Sequence, residues 1–183
     1  MTILSELHQD HVNLSKLLVI LRLKAQALRE GSEPNFALIA DVMDYITNYA
    51  DGFHHPREDE LNKYFMGRSD ELDSQLKCCS EEHVALKIAT EELKEAIDGV
   101  LHDTVRPMGE ISDLLDEFIS QQLSHLNTEE GMLFPLIESQ ATDNDWAIVN
   151  TLLPRQDDPL FGTKQAEKYT ELYRELIIDM NNK

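Results

Sequence analysis

The chain has 183 residues, of which 42% are hydrophobic and 28% charged, a composition that fits one soluble globular domain with a full core. Its 35 acidic against 16 basic side chains give a formal net charge of −19, a field that repels nucleic acid and anionic membranes and attracts cations. No apolar run approaches a membrane span, and the first twenty residues carry Glu6, His8, Asp10 and His11 where a secretory leader would be apolar. The two cysteines, Cys78 and Cys79, are adjacent and cannot staple distant segments, so the expected location is a reducing cytoplasm.

Four long segments carry an apolar seam at alternating spacings of three and four, the signature of a bundle helix. The first seam runs Leu4, Leu7, His11, Leu14, Leu18, Leu21, Ala25, Leu28, and the stretch from Gly31 to Pro34 ends it. The second runs Ile39, Met43, Ile46, Ala50, His54, Glu58, Leu61, Phe65 and stops at Gly67. The third reads Leu72, Leu76, Cys79, His83, Leu86, Thr90, Leu93, Ile97, Val100. The fourth begins near Pro107 and reads Met108, Ile111, Leu115, Phe118, Gln122, His125, Glu129, Met132, Leu136. Short connections between long helices imply antiparallel neighbours, hence an all-α, up-down four-helix bundle over residues 1–140. Residues 141–183 differ in kind: a short helix over Trp146–Leu153, the Pro-punctuated turn PRQDDPLFG, and an amphipathic closing helix through Tyr169, Leu172, Leu176 and Ile177. They read as a C-terminal helical cap on the bundle.

Each seam is apolar except at one level. His11 interrupts the first, His54 and Glu58 the second, His83 the third, and His125 with Glu129 the fourth. A His and a Glu four residues apart lie on one helix face about a turn apart, and the pair occurs twice. In an up-down bundle the start of helices one and three is level with the end of helices two and four, so all six residues fall in one layer. A lone seam histidine is ordinarily a hydrogen-bonded core residue, but two buried carboxylates without counter-charge are very costly. A metal removes that cost and couples binding to folding. Nitrogen and oxygen donors without thiolate suit Fe, Mn or Zn, and carboxylates placed between two His pairs can bridge two ions. The expected arrangement has His11 and His54 on one ion, His83 and His125 on the other, and Glu58 and Glu129 bridging them. Open coordination positions would then suit a small diatomic molecule.

Other residues read less sharply. His8 sits at the rim. His55 and Asp59 lie about 100° round from the His54–Glu58 row, with Asn48 and Asn62, and Glu130 is similarly offset, so all are expected to be solvated or to support the ligands from outside. Glu81 and Glu82 read as a solvated turn, His102 as belonging to the far end, Cys79 as core. Pro56 predicts a kink that helps aim His54.

These residues resemble the hemerythrin-like, or HHE cation-binding, family. The likeness covers the bundle through HQDH in helix one, FHHPREDE in helix two, EEH in helix three and SHLNTEEGMLFP in helix four, and the DDPLFG turn resembles the tail of a bacterial branch. The resemblance implies a non-haem di-iron centre with an oxo or hydroxo bridge, Mn or Zn being substitutes, that handles O2, NO or peroxide with an electron donor or as a homodimer. Oxygen-carrying members place a second His one turn along helix three, where this chain has Lys87. Four histidines in place of five imply a more open iron and favour stress response or iron-centre protection over oxygen carriage. The alternative is a non-catalytic iron or oxygen sensor. A ferritin-like oxidase would need Glu-x-x-His boxes, which the chain lacks, and a phosphotransfer bundle would need an exposed histidine such as His55.

Overall fold

A computed structural model describes residues 3–181, among which there is no strand. The α-helices are α1 (Ile3–Arg29), α2 (Phe36–Tyr45), α3 (His55–Phe65), α4 (Asp70–Leu101), α5 (Met108–Thr128), α6 (Phe134–Gln140), α7 (Asp143–Leu152) and α8 (Thr170–Asn181). Two pairs are continuous rods. Helix α2 runs into α3 through π-helical turns over Ile46–His54, and α5 runs into α6 through π-helical turns over Glu129–Leu133. The four rods pack α1 on α5, α4 on both α2 and α5, and α1 on α2, giving the antiparallel four-helix bundle that the seams demand.

Local chemistry sets the rod ends. The Asn35 side chain accepts the Leu38 N–H at the start of α2, and the Ser69 hydroxyl accepts the Leu72 N–H at the start of α4. Gly31 and Gly67, at φ +78° and +88°, follow the ends of α1 and α3 in the left-handed conformation that glycine adopts without strain.

The seams bury as expected with one shift. In α1, α2–α3 and α4 nearly all the seam residues are buried; only Leu4 and Val100, at the ends, are partly exposed. In α5–α6 the seam holds from Ile111 to Glu129, Met108 being exposed, after which Leu133 and Ile137 are buried while Met132 is 51% exposed. The π turn inserts an extra residue, so the inward face moves by one position. The layer of seam histidines and glutamates cuts the apolar interior in two: one cluster runs from Leu14, Ala50 and Leu126 to the far end, the other includes Leu7, Leu61, Cys79 and Leu133.

The C-terminal segment ties both clusters together. Helix α7, starting three residues earlier and ending one residue earlier than the sequence predicts, places Val149 in the smaller cluster and Trp146 against Phe65. Its capping box joins Thr142 and Asp145, and Arg68 pairs with Asp145 at 2.6 Å. Farther on, Leu160, Tyr169, Leu172 and Leu176 enter the larger cluster. Asp158 fastens this stretch: one carboxylate oxygen accepts the N–H groups of Leu160 and Phe161 at 2.8 Å each, and the other accepts the Tyr45 hydroxyl at 2.9 Å. No helix among the described residues is long and apolar enough to cross a membrane.

Removing the Asp158 carboxylate strands buried donors, at about 1–3 kcal/mol. We expect Asp158→Ala to lower the unfolding free energy by about that amount in chemical denaturation. A change within about 0.5 kcal/mol, typical of a surface substitution, would contradict this anchoring role.

Candidate metal centre

The four rods bring all six seam residues together. His11, His54, Glu58, His83, His125 and Glu129 are each at most 5% exposed. The inward Nε2 of His11 is 3.3 Å from Glu58 Oε1 and 3.2 Å from Glu129 Oε2. His54 Nε2 is 3.2 Å from Glu58 Oε1, and His83 Nε2 is 3.4 Å from Glu58 Oε2. His125 Nε2 is 3.3 Å from Glu129 Oε2. The two oxygens of Glu58 therefore face different imidazoles, one towards His11 and His54 and the other towards His83.

These short approaches lack hydrogen-bond geometry at most of the inner atoms. Both Glu58 oxygens, Glu129 Oε2, His125 Nε2 and His55 Nε2 are buried and have no hydrogen-bond partner in the described structure. Buried polar atoms are rarely left so. Convergent lone pairs on imidazole and carboxylate, closed off from water, are the donor set of a cation site, and the residues fit a metal. Ligand atoms of His11, His54 and Glu58 lie within 4.8 Å of one another, and so do those of His55, Glu58, His83 and His125.

Around this layer runs a closed ring of supporting carboxylates. Asp10, next to His11 on the first rod, accepts from His54 Nδ1 on the second at 3.2 Å. Asp59, next to Glu58 on the second, accepts from His83 Nδ1 on the third at 2.9 Å. Glu82, next to His83 on the third, accepts from His125 Nδ1 on the fourth at 2.8 Å. Glu130, next to Glu129 on the fourth, accepts from His11 Nδ1 on the first at 2.6 Å, closing the ring. Each bond fixes a proton on Nδ1 and turns Nε2 inward, where a proton or a metal ion can meet it. His8 caps the ring at the surface, 3.0 Å from the second oxygen of Glu130.

Several expectations sharpen or change here. Asp59 and Glu130 take the supporting one of the two roles expected of them, Glu82 is a half-buried hydrogen-bond acceptor in place of a solvated charge, and Asn62 is buried against the Cys79 sulfur. Asn48 is exposed and His102 lies in an exposed pair with Asp98, as their positions imply. Cys79 is core, its thiol donating to Glu129 at 3.0 Å, and burial pushes its pKa up to about 12. His55 departs most: it is 3% exposed, its ring stacks on His83 at 4.4 Å, and its Nδ1 lies 3.1 Å from Asp51. Lys87, one turn beyond His83, is exposed.

The π turns explain why an α-helical projection misplaces His55 and Glu130. Pro56 and Pro135 lack an N–H and, in an α-helix, would press on the carbonyl four residues back. Immediately before each proline the chain makes a wider bond, His55 N–H to Ala50 O and Phe134 N–H to Glu129 O. The wide turn absorbs the proline where a kink is expected from sequence, and it advances less per residue, so two successive side chains can face the interior. The usable sequence signal is a proline one or two residues after a seam position, with acidic residues adjacent to the ligands.

None of the inner or ring carboxylates is paired with lysine or arginine in the described structure; imidazoles are the only groups facing them that can carry positive charge, beside neutral donors from Cys79, Ser80 and Tyr49. Burial opposes a charged His11, yet the acceptors Glu129, Glu130 and Glu58 outweigh it and lift its pKa to about 12. Burial likewise opposes His54, and Glu58 with Asp10 lifts it to about 9. Glu129, which burial and Glu58 would raise, is drawn down to about 2 by His11 and His83. Without a metal, protons supply the positive charge.

A search of curated proteins returns no match. Residues 2–142 match the family described as Hemerythrin HHE cation binding domain, a span that takes in the whole bundle and every inner residue.

A group whose pKa is raised on folding stabilises the fold below its unfolded value and loses that contribution as pH rises through its folded value. For His54 the window runs from 6.5 to about 9. We expect metal-free protein to melt lower at alkaline pH above that window than at neutral pH, and the drop to shrink in His54→Gln. An equal drop in both proteins would contradict the account.

Proposed function

Because the chain belongs to the hemerythrin HHE cation-binding family, we propose that it is a non-haem di-iron protein that binds or reduces a small oxidant, O2, NO or peroxide, in stress response or iron-centre protection. The observation that carries the reading is the set of unpartnered inner atoms on Glu58, Glu129 and His125 in a layer closed off from solvent. His11 and His54 would hold one ion, His83 and His125 the other, with Glu58 and Glu129 between them.

Bound iron would supply open coordination positions and electron-transfer capacity for a small ligand. The chain's own residues do the rest. Glu58 offers one oxygen to each side of the layer, and the ring carboxylates hold each imidazole with its Nε2 free. Leu7, Leu14, Leu61 and Leu133, above and below, keep the layer dry. His11, Glu130 and the exposed His8 form a hydrogen-bonded line from the layer to the surface, along which protons displaced from the imidazoles can leave. A groove of about 670 Å³ between α4 and α5, lined by Ala85, Ala89 and Ser124, reaches the outer side of the Glu82–His125 pair. A non-catalytic sensor of iron or oxygen is the second reading, supported by the dependence of core charge balance on occupancy; it differs in showing metal-dependent stability with negligible turnover.

Anaerobic reconstitution with ferrous iron is expected to load two ions per chain. At free metal about 100–1,000 times the dissociation constant this would add about 3–4 kcal/mol of stability that chelator removes. His54→Ala and His125→Ala should each lose bound iron, and acid should release it as the imidazoles protonate. Fewer than about one iron per chain, or identical melting with and without chelator, would refute the reading.

A further inference from the structure

His55 is the buried histidine that the ring of four does not use. Its Nε2 has no hydrogen-bond partner, although a purely structural histidine at this depth would be expected to meet one. The ring stacks on His83 at 4.4 Å with planes 13° apart and stands edge-on to His125 at 5.6 Å. Asp51 Oδ1 lies 3.1 Å from its Nδ1, a carboxylate placed behind the ring as in the other four, though here outside hydrogen-bond geometry.

Distance decides whether the free nitrogen can join an ion. Two donors on opposite sides of one ion, at bonds of about 2.1 Å, stand about 4.2 Å apart. The ligand atoms of His55, Glu58, His83 and His125 lie within 4.8 Å of one another, so a shift of a few tenths of an ångström gathers all four. A second group, His11, His54 and Glu58, shares only Glu58 with this one, and a third, Cys79, His83 and Glu129, shares only His83. The two neighbouring histidines thus belong to different groups. On an α-helix, residues 54 and 55 diverge by about 100° and could not both point inward; the π turn ending at His54 lets them do so. One turn beyond His83, helix α4 offers only Lys87, which is exposed; Cys79, one turn before it, lies with His83 and Glu129, outside the His55 group.

We propose that His55 is a further metal ligand, its Nε2 completing the ion position of His83 and His125, so that the centre is asymmetric with three imidazoles on one ion and two on the other. The inference rests on the two-ion reading above. It assigns the π turn in the second rod a purpose: it splits the His54-His55 pair between the two ions.

The test uses Co(II) as the probe metal, loaded anaerobically into the full chain. Each ligand imidazole with a backed Nδ1–H gives one hyperfine-shifted, solvent-exchangeable proton resonance. Five such resonances are expected in the native chain and four in His55→Gln, with the weaker of two Co(II)-binding phases losing at least about tenfold in affinity. The metal-free variant is checked for the native circular dichroism. Should His55→Gln fail to fold, the native count stands alone. Four resonances in the native chain, or five in the variant, overturn the role of His55. Binding of fewer than about one Co(II) by the native chain refutes the underlying two-ion reading instead.

Discussion

Glu58 and Glu129 are two carboxylates in the middle of a helical bundle with no lysine or arginine among the described residues to answer them, and much of the structure is arranged around that charge. Left uncompensated in a dry interior, it would cost far more than a domain's net stability. The compensation comes from imidazoles, and their number and placement set what every rod must deliver at this level. The polar layer divides the apolar core into two clusters. Each rod must therefore bury leucines on both sides of its polar residues while holding register to within one residue.

The ring of outer carboxylates ties the four rods into one object. Asp10, Asp59, Glu82 and Glu130 each stand beside an inner residue of their own rod and accept a hydrogen bond from the imidazole of the next. Rotating or sliding any rod breaks two of these links, so the geometry of the centre and the packing of the bundle are one problem. The strongly acidic composition follows in part from this design: inner and outer shells both consist of carboxylates, and their balance is left to protons or to metal cations. The Asp158 anchor and the Arg68–Asp145 pair clamp the C-terminal segment across both clusters, and so across the layer between them.

The architecture and the six inner residues were legible in sequence because seam periodicity registers burial directly, and a polar break at one level in four seams is hard to produce otherwise. Lys87 was read as a vacancy on the third helix, and four histidines as the full set. His55 fills that account differently, from the second rod. It escaped because a projection at 3.6 residues per turn holds only while the helix stays α. Pro56, read as an ordinary kink, and Pro135 mark the places where it does not. The same assumption put Met132 in the core where Leu133 belongs. Asp59 and Glu130 were left open between solvent and support, and Asp10 and Glu82 escaped, for a different reason: a charge one position off a seam is ordinarily solvated, and only the positions of neighbouring rods show that it meets an imidazole.

The central claim is that protons hold the place of metal in this layer. Calorimetric titration of the metal-free chain with Fe(II) at neutral pH, in buffers of different ionisation enthalpy, counts the protons that leave as metal enters. With His11 lifted to about 12 and His54 to about 9, both are protonated at the outset and each must surrender a proton. The account predicts a binding enthalpy that changes with buffer and a net release of about two protons or more per chain. Binding without buffer dependence would contradict it.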